Sequence, residues 1–318
     1  MPVYQSASGY PGIEATPLAR MEYSDRILSK VYEDDWLPRI TSSDFLEPVT
    51  RCAQQIQIME APEVGPMRSY QLNQQLVPNT VNTTARCLTI CNLAYQDIKF
   101  DSTTIKMACD RWPAFEEKLL ESMYQSYIDT QRPYVLGRMM AQVSPKNCMD
   151  RAGLNHDINL GKPGAPIHIT LQNLPARLFD LQRALIESRR WKDNEMFLIV
   201  PPILRSYIAM SNFGNSEWSC SCGSIVSGMW DKQLAGFTLI ESTHVPVRLD
   251  ESGALSFYII GGHKEATAYA SNIIEARLNT TDPNYFGVRY QYLVAWGAEV
   301  IYPEALVLGY WTFDPLFN

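Results

Sequence analysis

Residues 292–307 read YLVAWGAEVIYPEALV. Apolar side chains dominate this stretch, and Pro303 with Glu304 punctuates it. The pattern predicts strands over Val288–Trp296 and Glu299–Tyr302, then a turn at the proline, then a further strand over Leu306–Trp311. Upstream, residues 263–278 carry Ala268, Tyr269, Ile273 and Ile274, which fit a helix or an edge strand. Asp282-Pro283-Asn284 reads as a turn into the next run, so strand is the reading adopted. Further strands are expected at Gly236–Ile240 and Phe257–Ile260, beyond a Ser-, Asn- and Gly-rich loop over 211–233. Met196–Val200 is fully apolar and is stopped by Pro201-Pro202, after which Ile203, Leu204, Tyr207 and Ile208 predict a short helix.

Helices are predicted upstream of these strands. Asn173 is expected to cap a helix that opens at Pro175 and buries a stripe of Leu178, Leu181, Leu185 and Ile186. A longer helix is predicted over 112–131, with Pro113 in its first turn and Phe115, Leu119, Met123 and Tyr127 recurring every fourth residue. At 1.5 Å per residue it is roughly 30 Å long. Pro133 is expected to break or kink it before a second helical piece, Tyr134–Val143. Residues 50–100 read as β-structure. Ile56 and Ile58 alternate with Gln55 and Gln57, and the chain returns through Cys87–Leu93 after a polar excursion from Glu60 to Pro78. Compact domains seldom keep such an excursion without a use for it. Residues 1–19 read as an extended arm, and 20–37 as a short amphipathic helix ended by Pro38. The fold class is α+β, with a long helix, a projecting hairpin and a strand-rich second half.

Composition narrows the function classes. The 318 residues carry a net charge of -7 and no basic stripe, which argues against tight nucleic-acid binding. No apolar run is long enough to cross a bilayer, and Met1–Arg20 lacks a signal-peptide core, so a cytoplasmic origin is expected. Cys52, Cys87, Cys91, Cys109, Cys148, Cys220 and Cys222 are odd in number and irregularly spaced. They are read as free thiols packed as small hydrophobes. Cys220-Ser-Cys222 is the nearest approach to a metal motif, but no second pair stands at a matching distance. His156, His168, His244 and His263 are dispersed, and no nucleophile elbow, phosphate loop or dinucleotide fingerprint is present.

Three segments in the second half, in order, resemble the major capsid proteins of tailed bacteriophages, the Hong Kong 97 type of fold. They are Phe197–Pro202 entering a helix; Leu234–Ser242 closing on His244-Val245-Pro246; and Asp282–Gly287 leading into Tyr292–Val307. The sequence departs from the family at Trp296, where Tyr is frequent, and at Tyr302, where Arg is common. The resemblance implies an N-terminal arm over 1–45 and an extended E-loop with peripheral-domain strands over 46–101. It implies a peripheral domain with a long spine helix over 102–174 and an axial domain over 175–262. Peripheral strands over 263–300 and a C-terminal strand returning to the axial domain over 301–318 complete the chain.

The implied function is structural: self-assembly into hexamers and pentamers of an icosahedral head around the phage genome, as a virion capsid assembled in the bacterial host cytoplasm. No catalytic residue, cofactor or metal is implied, and no membrane. Inter-subunit contacts are expected from Glu60, Glu63, Met67, Arg68 and Tyr70 on the E-loop and from Tyr23 and Trp36 on the arm. Pro133 and Gly137 are the expected hinge of the spine. Other copies of the chain are the first partners. A separate scaffolding protein, a portal and a decoration or cement protein follow, with double-stranded DNA enclosed without sequence-specific binding. The alternatives are an encapsulin-type nanocompartment shell, a soluble α+β enzyme with a site built from dispersed residues, and a tail or decoration protein.

Overall fold

The computed structural model describes residues 35–42, 55–59, 62, 64–69, 72, 74–79, 81, 85–108, 112–192, 195–211, 233–250, 253–280 and 286–313. In chain order its helices are α1 (Leu37–Ile40), α2 (Ser102–Ala108), α3 (Trp112–Gln142), α4 (Leu174–Glu187) and α5 (Pro202–Met210). The strands are β1 (Gln55–Met59), β2 (Ala85–Thr89), β3 (Asn92–Asp101), β4 (Ile167–Ile169), β5 (Met196–Val200) and β6 (Gln233–Leu234). They continue with β7 (Phe237–Glu241), β8 (Val247–Leu249), β9 (Leu255–His263), β10 (Thr267–Asn279), β11 (Gly287–Val300) and β12 (Leu306–Phe313). Two compact units divide the chain. The first holds Met1–Asp35, Cys91–Gln131 and Ser271–Trp296, and the second holds Trp36–Ile90, Arg132–Ala270 and Gly297–Asn318.

The first unit is a helix laid on a small sheet. The sheet runs β10-β11-β3, and β11 pairs antiparallel with β3 from Gly287↔Asp101 to Trp296↔Asn92. Side chains alternate along β3, as period 2 requires, so one face can meet a helix while the other stays open. Phe100 stacks edge-on against Trp112 and Phe115 of α3, with ring centroids 5.1 and 5.6 Å apart. Tyr292 Oη reaches the Met123 carbonyl of α3 at 3.0 Å.

The second unit holds the main core. Its sheet runs β4-β12-β9-β5-β7-β6, with β8 added on β9. β5 sits between parallel β7 and antiparallel β9, and all five of its side chains are buried. That is why Met196–Val200 is uniformly apolar: a strand covered on both faces has no polar side to show. Helix α4 lays its buried stripe of Leu174, Leu178, Leu181, Ala184 and Leu185 into the same cluster as Leu198, Tyr207 and Trp311. The β1–β2 hairpin, in register Gln55↔Thr89 to Met59↔Ala85, packs Ile56, Ile58 and Leu88 against Ala268, Ala270 and Ile301. Gly297 is required here, since a Cβ at this position would stand 2.4 Å from the Thr89 carbonyl oxygen.

Four local expectations are corrected. Pro133 lies inside one continuous 31-residue helix and does not end it. Pro38 sits in the first turn of α1 and opens that helix, because its missing N–H is no loss there. Val288–Trp296 and Glu299–Tyr302 are not two strands, because Gly287–Val300 is continuous and Gly297 keeps extended geometry. Asn173 stands at the N-cap of α4, but its side chain does not cap. Asn173 Oδ1 accepts from the Thr170 N–H at 2.8 Å, and Nδ2 donates to the His168 carbonyl at 2.8 Å, so it closes the preceding turn instead. The strand reading of 263–278 agrees with β9 and β10. The turn expected at 282–284 and the helix over 20–34 lie outside the described residues.

Candidate inter-subunit surfaces

The hairpin β1–β2 is the root of the segment between Met59 and Ala85. Its described residues form no regular secondary structure apart from a turn at Leu72. Gly65 and Asn79 lie across from one another, since a Cβ on Gly65 would be 3.9 Å from Asn79 Nδ2. The segment was read as polar, yet it presents a series of apolar side chains to solvent. Met67 is 101% exposed, Leu72 89% and Leu76 78%, with Val64, Val77 and Val81 also exposed. Isolated exposed apolar residues are ordinary on a protein surface, whereas six exposed within eighteen positions of one segment are an unusual concentration. Arg68 is exposed beside Met67. Glu60, Glu63, Tyr70 and Tyr23 lie outside the described residues.

Trp36 behaves differently from its expected role. It is 3% exposed, and the Arg132 guanidinium lies 5.3 Å above its ring. A side chain buried in its own chain has no surface left for a neighbour, so Trp36 anchors the start of α1 rather than reaching outward. Around the expected hinge, Arg132, Val135, Leu136 and Met139 are buried. Gly137 faces open space, with nothing within 4 Å of where a Cβ would stand.

A second apolar surface lies within the first unit, between α3 and strands β10 and β11. It is an open concavity of about 410 Å³ walled by Leu120, Met123, Tyr124, Tyr127, Ile273 and Leu278. Leu120, Tyr124, Ile273 and Leu278 are each about half exposed or more. At one side Tyr290 Oη donates to Glu116 Oε1 at 2.7 Å. Burial, and then the adjoining Glu116 carboxylate, pushes the Tyr290 hydroxyl up to about 12. The strand–helix ambiguity of 263–278 hid this surface from sequence reasoning, because it exists only once β10 is extended beside α3.

The open face of the β3–β11 pair is polar at one end. Arg289 and Gln291 both donate to Asp97, and Arg277 Nε donates to Gln291 Oε1 at 2.7 Å. Hydrogen bonds from Arg289 and then Gln291 hold the Asp97 carboxyl below its ordinary range. Among the described residues no three His, Cys, Asp or Glu side chains gather to hold a metal ion. Cys148 is buried, which raises its thiol, while Cys87 and Cys91 are exposed and free. No described helix is long and apolar enough to cross a membrane.

No protein-family model and no curated protein matches the sequence. Solved structures do match. One, described as the asymmetric unit of the bacteriophage PhiM1 mature capsid, aligns with TM-score 0.61 at 12% identity over 98% of this chain and 100% of its own. A structure from Mycobacterium phage Che8 aligns with TM-score 0.59 at 14% identity, covering 92% and 95%. The capsid of a native GTA particle aligns with TM-score 0.56 at 11% identity, covering 97% and 99%. The chain has the Hong Kong 97-type capsid fold. The three segments that carried the sequence resemblance fall on β5 with α5, on β6 and β7, and on β11 with β12. The capsid fold is thus most legible around the seven-stranded sheet of the second unit, where both faces of the central strands are covered.

Proposed function

We propose that the chain is the major capsid protein of a tailed phage, a shell-building protein without enzymatic activity. Hexamers and pentamers of it form an icosahedral head. Residues 1–45 serve as the arm, the segment rooted on β1–β2 is the E-loop, α3 is the spine, and residues 175–262 supply most of the axial domain. The observation that carries this reading is the exposed apolar series from Val64 to Val81 on a segment whose described residues form no strand or helix. Burying one such side chain against a neighbour stabilises the contact by roughly 1.5–3 kcal/mol. Repeated over many copies, contacts of that size hold a closed shell by avidity. The apolar concavity on the first unit is a second surface suited to burial between subunits.

A scaffolding protein, a portal and a decoration protein are the further partners of this reading, with assembly in the host cytoplasm. The net charge of -7 suits a lumen against which packaged DNA slides. The shared fold is with phage and GTA capsids, which favours this reading over a nanocompartment shell or an enzyme.

The test is assembly. The purified full chain is expected to form closed shells under negative-stain microscopy and to sediment as large particles. The pair Met67→Asp and Leu76→Asp, both on exposed positions, is expected to leave folded subunits by circular dichroism while abolishing particles. A wild-type chain that stays monomeric at high concentration, or a double variant that assembles as well as wild type, would overturn the reading.

A further inference from the structure

The corner where β9 turns into β10 is built around His263, a residue that the shell-building role does not use. His263 closes β9 and is 9% exposed. Its Nδ1 accepts a hydrogen bond from the Glu265 backbone N–H at 3.2 Å and so caps the 3-10 turn Lys264–Ala266. Its Nε2 lies 2.9 Å from Glu195 Oε2. A ring nitrogen that accepts from a backbone N–H carries no proton, so the other nitrogen must carry it. With Nδ1 as the acceptor, a neutral His263 ring carries its proton on Nε2 and donates it to Glu195.

The capped turn is a junction. The Ala266 carbonyl accepts from the N–H groups of Ile301 at 2.8 Å and Tyr302 at 3.2 Å. Next to it, the Thr267 carbonyl accepts from Ser42, and the Ser42 carbonyl accepts from Tyr269. Three stretches of the second unit therefore meet at a turn whose cap is a titratable side chain.

The charged groups at the ring are Glu195, with Lys192 bonded to it ahead of β5, and Glu265 within the turn, where Lys264 also stands. Lys192 Nζ bonds Glu195 Oε2 at 2.5 Å, and Glu265 Oε2 stands 4.0 Å from His263 Nδ1. Lys192 first, and His263 after it, hold the Glu195 carboxyl below its ordinary range, so it is ionised at neutral pH. A proton added to Nδ1 would place two donors against each other, N–H facing N–H, and the Glu265 carboxylate is the acceptor close enough to take the new one.

We propose that His263 is a proton-operated cap: when its ring is neutral it holds the Lys264–Ala266 turn, and when protonated it releases the Glu265 N–H and turns to the Glu265 carboxylate. The step is a proton gain from solvent with no other chemistry. Its sign is set by the geometry, with the cap present while the ring is neutral and lost when Nδ1 gains a proton.

The test is hydrogen exchange with mass spectrometry on the full chain between pH 8 and pH 5, corrected for the intrinsic rate. The amides of Glu265, Ile301 and Tyr302 are followed. Protection is expected to fall about tenfold across the range, the scale of one lost hydrogen bond. In His263→Asn the side-chain oxygen can still accept from Glu265 but does not titrate, so protection is expected to be flat. An unchanged pH step in that variant, or no step in wild type, overturns the proposal. Should asparagine at 263 prevent folding, Glu195→Gln decides the matter. Removing the carboxylate beside Nε2 is expected to move the step to lower pH, and a step that stays in place overturns the proposal.

Discussion

Asn147 has no exposed surface and uses both ends of its amide. Nδ2 donates to the Glu304 carbonyl at 2.7 Å and to the Leu306 carbonyl at 2.9 Å, while Ser188 Oγ lies 2.5 Å from Oδ1. One side chain thereby satisfies the backbone where β12 begins and ties it to the end of α4. Asn147→Ala removes a donor from one buried and one part-buried carbonyl and is expected to cost about 2 kcal/mol, read as a shift in the urea midpoint of the dissociated subunit. Nothing in the sequence marked Asn147, because the carbonyls it donates to lie more than 150 positions away along the chain and Ser188 lies 41 away. Trp36 and His263 were noticed in the sequence, one as an expected contact and one as a dispersed histidine, but the place of each depends on what the fold brings beside it.

At the scale of elements, local rules worked where the local environment was also the final one. The all-apolar run before Pro201-Pro202 became a strand covered on both faces, and Ile56 and Ile58 became the buried side of β1. The rules failed where packing outweighed propensity. A proline inside a helix costs roughly 3 kcal/mol, yet α3 runs through Pro133 because buried Arg132, Val135, Leu136 and Met139 hold the turns around it. Gly137 is a separate cost in the same helix with no packing reason, as a Cβ there meets nothing within 4 Å. Gly137→Ala is expected to stabilise the subunit by about 0.5–1 kcal/mol, seen as a higher Tm. If bending at this glycine lets subunits fit pentamers and hexamers alike, the same variant gives shells less uniform in size under the microscope.

For the whole molecule, stability and assembly are linked. Any process that buries native surface and spares the unfolded chain raises the melting temperature. If the proposed shell forms, it is expected to melt several degrees above dissociated subunits in scanning calorimetry, since the exposed apolar series would then be buried against neighbours. Equal melting temperatures would mean that the Met67 and Leu76 side chains gain nothing from neighbours. The expectation of a shell protein came from the three segments that resemble capsid proteins, and the long excursion between two strand-forming runs agreed with it. Its apolar content was underestimated. Val64, Met67, Leu72, Leu76, Val77 and Val81 are spaced without a period, so no face of a helix or strand announced them.

By itself the sequence determined the strand and helix content of the covered core, the order of its elements and the absence of familiar catalytic motifs. These depend on periodicity and on residue types within a few positions, which the chain carries locally. Tertiary structure alone decided that α3 continues past Pro133, that Trp36 turns inward, that Asn147 and His263 hold distant segments, and that an apolar concavity opens beside β10. Each of those outcomes is settled by contacts between residues far apart in the chain, where burial and hydrogen-bond satisfaction outweigh local preference.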